Sequence, residues 1–147
     1  MPPNNNFNRI VVMQASIPKS FYLVSAPYNK FQLLETGTTS SGTASGTFGT
    51  VSTNGTIKTI TLAVVNYSKT NMIVCLQTML TLASSLNSTT ATKYVYTVSY
   101  PLMNYPNTGK FTYSVANLIT AQPQIILPST STVYLPMGFK LLSINVF

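Results

Sequence analysis

The chain has no histidine, no aspartate and no tryptophan, one glutamate, Glu35, and one cysteine, Cys75. Each absence closes a class of chemistry. Paired carboxylates cannot do general acid–base work within one chain, and neither Ser-His-Asp nor Cys-His arrangements can be assembled. Zinc lacks a set of nitrogen and sulfur ligands, and calcium lacks a carboxylate cage. The glycines at Gly42, Gly46, Gly49 and Gly55 stand in no strand-turn-helix context that would cradle a phosphate. The composition therefore predicts no metal, no cofactor and no enzymatic activity. A single cysteine forms no internal disulfide. No apolar run approaches the roughly 18 to 20 residues that span a bilayer. The opening MPPNNNFNR lacks the basic and apolar regions of a signal peptide, so none is expected in this chain and a reducing compartment is. On that reading, the Asn-x-Ser/Thr triplets at Asn54, Asn66 and Asn87 are chance matches rather than glycosylation sites.

Charge is the next scarcity. Only 6% of the residues are charged, against roughly a quarter in ordinary soluble domains. The surface must then be built from Ser, Thr, Asn, Gln and Tyr, which suits a protein held inside a large assembly. The eight basic residues, Arg9, Lys19, Lys30, Lys58, Lys69, Lys93, Lys110 and Lys140, give a net charge of +7, which favours anionic partners. They are evenly spread and form no run that tracks a phosphate backbone, which argues against nucleic acid. An acidic protein neighbour or an anionic membrane face would serve equally well.

A chain of 147 residues can bury one sizeable core, and a single domain spanning 9–147 is expected after a polar N-terminal arm, 1–8, that carries Phe7. Arg9 to Glu35 contains three β-type runs, Ile10 to Met13, Phe21 to Val24 and Phe31 to Leu34, separated by Pro18 and Pro27. The first two are unbroken apolar runs and the third is a shorter one, and such runs predict strands buried on both faces. Thr36 to Thr56 is a Gly/Ser/Thr segment punctuated only by Phe48 and Val51, and composition predicts a flexible surface loop over 36–56. Ile57 to Val65 predicts a strand that ends fully apolar inside the core. A helix is predicted around 69–86, because Met72, Cys75, Leu76, Met79, Leu80 and Ala83 recur at helical spacing, with Ser68 or Thr70 as its N-cap. Beyond it the period becomes two. Tyr94, Tyr96 and Val98 share one face, as do Phe111, Tyr113 and Val115, which predicts an antiparallel hairpin with aromatic pairs across it. Short β runs follow at Gln124 to Leu127, Thr132 to Leu135 and Lys140 to Phe147. The fold class expected is mainly β, a jelly-roll-like β-sandwich with one inserted α-helix.

Several stretches, taken in order, carry a resemblance: RIVVMQASIPKSFYLVSAPYNKFQLLE, ITLAVVNYSKTNMIVCLQTMLTLAS, YVYTVSY, TGKFTYSV and LPMGF. Particularly similar are IPKSFY at Ile17 to Tyr22, the Tyr28-Asn29 to Glu35 segment, the NYS turn at Asn66 to Ser68 with its helix, and MGF at Met137 to Phe139. The set resembles the minor capsid or penton-type proteins of large icosahedral DNA viruses, of the chlorella-virus and giant-virus kind. The resemblance implies a structural protein of the virion, placed in the capsid shell or on its inner face, that cements or supports capsomers. Its partners would be the major capsid protein, other minor capsid proteins and an anionic inner membrane surface. Candidate subunit contacts are Phe7, Arg9, Lys19, Glu35, Phe48 and Tyr105, although Glu35, as the one acid, is expected either there or paired with a nearby Lys or Arg. Another reading is a receptor- or glycan-binding β-sandwich of a virion, fibre- or lectin-like, with Tyr100, Tyr105 and Tyr134 as aromatic platforms.

Overall fold

The structure is a computed structural model and describes residues 21–27, 29–36, 40–85, 94–100, 111–116, 121–129, 131, 133, 137, 139 and 144–146. It is mainly β with one helix. In chain order the elements are β1 (Phe21–Leu23), β2 (Lys30–Leu34), β3 (Ser40–Gly46), β4 (Gly49–Gly55), β5 (Ile57–Leu62), β6 (Asn66–Ser68), α1 (Lys69–Ser85), β7 (Val95–Ser99), β8 (Thr112–Ala116), β9 (Gln124–Ile126) and β10 (Ile144–Val146).

Six strands form one antiparallel sheet in the order β10-β9-β2-β5-β4-β3. Alternation along each strand gives it a dry face and a wetter one. Phe31 and Leu33 on β2, Val51 and Thr53 on β4, Lys58, Ile60 and Leu62 on β5, and Ile125 on β9 all point inward and are buried. Thr50, Ser52 and Asn54 point the other way and are exposed, while Gln32, Thr59 and Thr61 are half-buried. The apolar run of β2 is therefore dry on one face only, not on both. The same holds for β1, where Tyr22 is buried and Leu23 is 65% exposed. Pro27 falls between β1 and β2, where a residue without an N–H costs no ladder bond.

The helix spans seventeen residues. Met72, Cys75, Leu76, Met79, Leu80 and Ala83 are all fully buried, as their spacing predicts, while Gln77, Thr78 and Thr81 face water. Ser84 departs from the pattern and is buried. Ser68 caps the helix: its Oγ accepts from the Asn71 amide at 3.2 Å, which satisfies one of the orphaned donors of the first turn. That serine also closes β6, which pairs with β1 and sets Tyr22 opposite Tyr67 on the core side. The helix packs against β3, β4 and β5 and against β7. β7 and β8 form the expected hairpin, with Tyr96 opposite Val115 and Val98 opposite Tyr113. Tyr94, Tyr96, Val98 and Phe111 are buried, whereas Tyr113 and Val115 are half-buried. The expected aromatic pairing across the hairpin is corrected, since Tyr96 and Tyr113 each face a valine; the aromatic contact there is Tyr100 with Phe111, edge to face at 5.9 Å.

Two further sequence expectations are corrected. The segment 36–56 is not a loop: Ser40–Gly46 and Gly49–Gly55 pair along their full length from Ser40–Gly55 to Gly46–Gly49. Serine, threonine and glycine carry no apolar alternation, but their amides and carbonyls close a ladder as well as any others. The run Ile57 to Val65 stops being a strand at Leu62, and Val64 and Val65 are 52% and 48% exposed rather than in the core. The arm 1–8 and the runs Ile10 to Met13 and most of Thr132 to Leu135 lie outside the described residues.

Candidate functional site

The sheet register brings the only acidic side chain of the chain onto a lysine. Lys58 lies opposite Leu33 across β2 and β5. Glu35, two residues beyond Leu33, shares its face, and its amide donates to the Thr56 carbonyl at 3.1 Å. The two side chains meet on the dry face, where Lys58 Nζ donates to Glu35 Oε2 and both are fully buried. The Tyr96 hydroxyl, arriving from β7, donates to the other carboxylate oxygen, Oε1. Thr53, which faces Lys58 across β4 and β5, is buried beside them with its hydroxyl unpartnered.

Burial dominates the electrostatics here. Loss of water lowers Lys58 from 10.5 to about 8, because desolvation penalises the ammonium. The same cause raises the Tyr96 phenol above its ordinary range, with neighbouring Tyr94 adding to it. Cys75 lies under Tyr67 on the helix side, and burial pushes its thiol up to about 11. Tyr67 itself, donating to the Ala63 carbonyl at 3.1 Å, is raised by burial and then by Cys75. The cluster of Glu35, Lys58 and Tyr96 has no exposed surface to offer a ligand. What it does is tie β2, β5 and β7 together through polar groups in a medium where each needs the others.

Of the candidate subunit contacts, Phe7, Arg9, Lys19 and Tyr105 lie outside the described residues. Glu35 takes one of its two expected roles, the ion pair with a lysine, and not the other: fully buried, it presents nothing to a neighbouring chain. Phe48, in the turn between β3 and β4, is half-buried with its ring 6.4 Å from that of Tyr67, so it packs inward onto the core. Tyr100 is no open platform either, being half-buried against Phe111 with Lys69 Nζ 4.3 Å above its ring.

The outer surface has a different character. Lys30 and Lys69 are exposed, whereas the one side-chain carboxylate is inside. Ser41, Gly42, Thr43, Ser45 and Gly46 on β3 are exposed as well, at one edge of the large sheet. Among the described residues no helix is long and apolar enough to cross a membrane. Comparison with known protein families, characterised proteins and solved structures finds no match for the chain.

Proposed function

We propose that the chain is a structural minor capsid protein of a large icosahedral DNA virus, which cements or supports capsomers through subunit contacts. The observation that carries this reading beside the sequence resemblance is the placement of charge. With Glu35 sequestered by Lys58, the exterior carries no side-chain carboxylate at all, and every remaining charged side chain is basic. Such a surface cannot make reciprocal ion pairs with a copy of itself, and its long-range field draws it to acidic neighbours. An acidic face of a major capsid protein, or the anionic face of an inner membrane, supplies the complement. The same reading extends to the fold, for which we propose a jelly-roll-type sandwich. The helix packs on β3, β4 and β5 and carries β7 beside it, and Tyr96 of β7 reaches Glu35 on the dry face, which fits a second layer.

Lysine cross-linking mass spectrometry on gradient-purified particles tests the reading. Lys30 and Lys69 are the reporters, since both are exposed; Lys58 is shut inside and will not react. Links from them to a major capsid protein are expected. Absence of the chain from the particle, or links only to genome-packaging proteins, would overturn it.

A further inference from the structure

Among the described residues, the edge strand β3 carries none of the devices by which proteins usually keep an exposed sheet edge from pairing. It is seven residues long, without lysine, glutamate or proline. Among the described residues no strand lies beyond it. The lack of charge extends well past the strand, since no charged residue occurs between Glu35 and Lys58. In a chain of net charge +7 that is a selective exclusion. Lys30, on β2, is three strands away from this edge, about 14 Å at the usual strand spacing of about 4.8 Å.

The order of residues in β3 is self-complementary. About Thr43, Ser41 mirrors Ser45 and Gly42 mirrors Ala44. Hydrogen-bonding geometry agrees with that centre. Gly46 and Gly49 close a two-residue turn, so their pair exchanges hydrogen bonds, and alternation then turns the backbone groups of Ser41, Thr43 and Ser45 away from β4. Those three residues are the ones that an antiparallel strand centred on Thr43 would bond.

We infer that β3 pairs with β3 of a second copy of this chain, antiparallel about a two-fold axis through Thr43, so that two large sheets become one. Thr43 then meets Thr43 and each Ser41 meets the other copy's Ser45, all on the wet face of the sheet, where paired hydroxyls stabilise the ladder. On the dry face Gly42 meets Ala44, small enough on both sides for the strands to close. This pairing goes beyond the capsid reading and does not depend on it.

Sedimentation of the full chain over a wide concentration range tests the pairing. A concentration-dependent dimer is expected for the unaltered protein. Thr43→Lys sets two ammonium groups face to face on the axis, and Thr43→Pro removes an outward amide while leaving the bonds to β4 in place. Each should raise the dimer dissociation constant by about tenfold or more, equivalent to about 1.4 kcal/mol. The thermal unfolding of Thr43→Lys monomer should match that of the parent. Thr78→Lys, at an exposed helix position, adds the same charge elsewhere and should leave the dimer intact. A protein that stays monomeric throughout, a dimer indifferent to both Thr43 variants, or one equally disrupted by Thr78→Lys would overturn the inference.

Discussion

Lys58 shares its inward face on β5 with Ile60 and Leu62, although in the sequence it stands only as one of eight evenly spread basic residues. That Glu35 takes a basic partner was legible in the sequence; that the partner is Lys58 was not, because it depends on how two strands distant along the chain come into register. An exposed Lys–Glu pair would stabilise the fold by under about 1 kcal/mol. Burial changes both the size and the sign of the argument, since either member left alone is an uncompensated charge in a dry site. Glu35→Gln or Lys58→Met is expected to destabilise the protein by about 3–5 kcal/mol, whereas the double variant Glu35→Leu/Lys58→Met should recover most of that loss. Urea unfolding midpoints of the three variants decide it. A single variant losing less than about 1 kcal/mol would mean that the site is wetter than its burial implies.

At the scale of elements, what could be read in advance was whatever side-chain periodicity encodes. The helix announced itself because Met72 through Ala83 recur on one face, and the β7–β8 hairpin because Tyr94, Tyr96 and Val98 alternate with polar residues. β3 and β4 were missed because Ser, Thr and Gly leave no such trace, and the strands are held by backbone pairing of β3 to β4 and of β4 to β5, with two inward residues on β4, Val51 and Thr53. Their glycines are not equivalent. Gly49 has φ +145°, and a Cβ there would run into the Thr61 carbonyl across the ladder. Gly55 has φ +63° with open space around it. Gly49→Ala should therefore cost about 3 kcal/mol, through both the backbone strain and the collision. Gly55→Asn should cost under about 1 kcal/mol, since asparagine tolerates that left-handed conformation. Thermal unfolding of the two variants side by side separates these cases.

For the whole molecule, the buried phenols and the thiol set an alkaline limit. Tyr22, Tyr67, Tyr96 and Tyr113 are all raised above their ordinary value of 10.0 by burial, and Cys75 is raised from 9.0 to about 11. Above those ordinary values the unfolded chain releases protons that the folded chain keeps, so stability falls as pH rises. Lys58 acts in the opposite sense between about 8 and 10.5, where the unfolded chain holds a proton that the folded chain has lost. One lysine opposes four phenols and a thiol. Stability should hold or rise slightly from pH 8 to 9, then drop by at least about 2 kcal/mol between pH 10 and 12. Chemical denaturation across that range checks the sign, and a flat profile above pH 10 would contradict it.

The enclosure of Glu35 has one more consequence, for how the exterior responds to acid. A typical protein surface gains positive charge on mild acidification, as exposed carboxylates and histidines take up protons. This chain has no histidine or aspartate, and its one glutamate is shut away from solvent. Apart from the chain termini, its outer side chains therefore have nothing to titrate between mildly acidic and neutral pH. Whatever holds this protein to an anionic neighbour by charge answers to ionic strength, and any acid-triggered release must be sensed by groups on the neighbour.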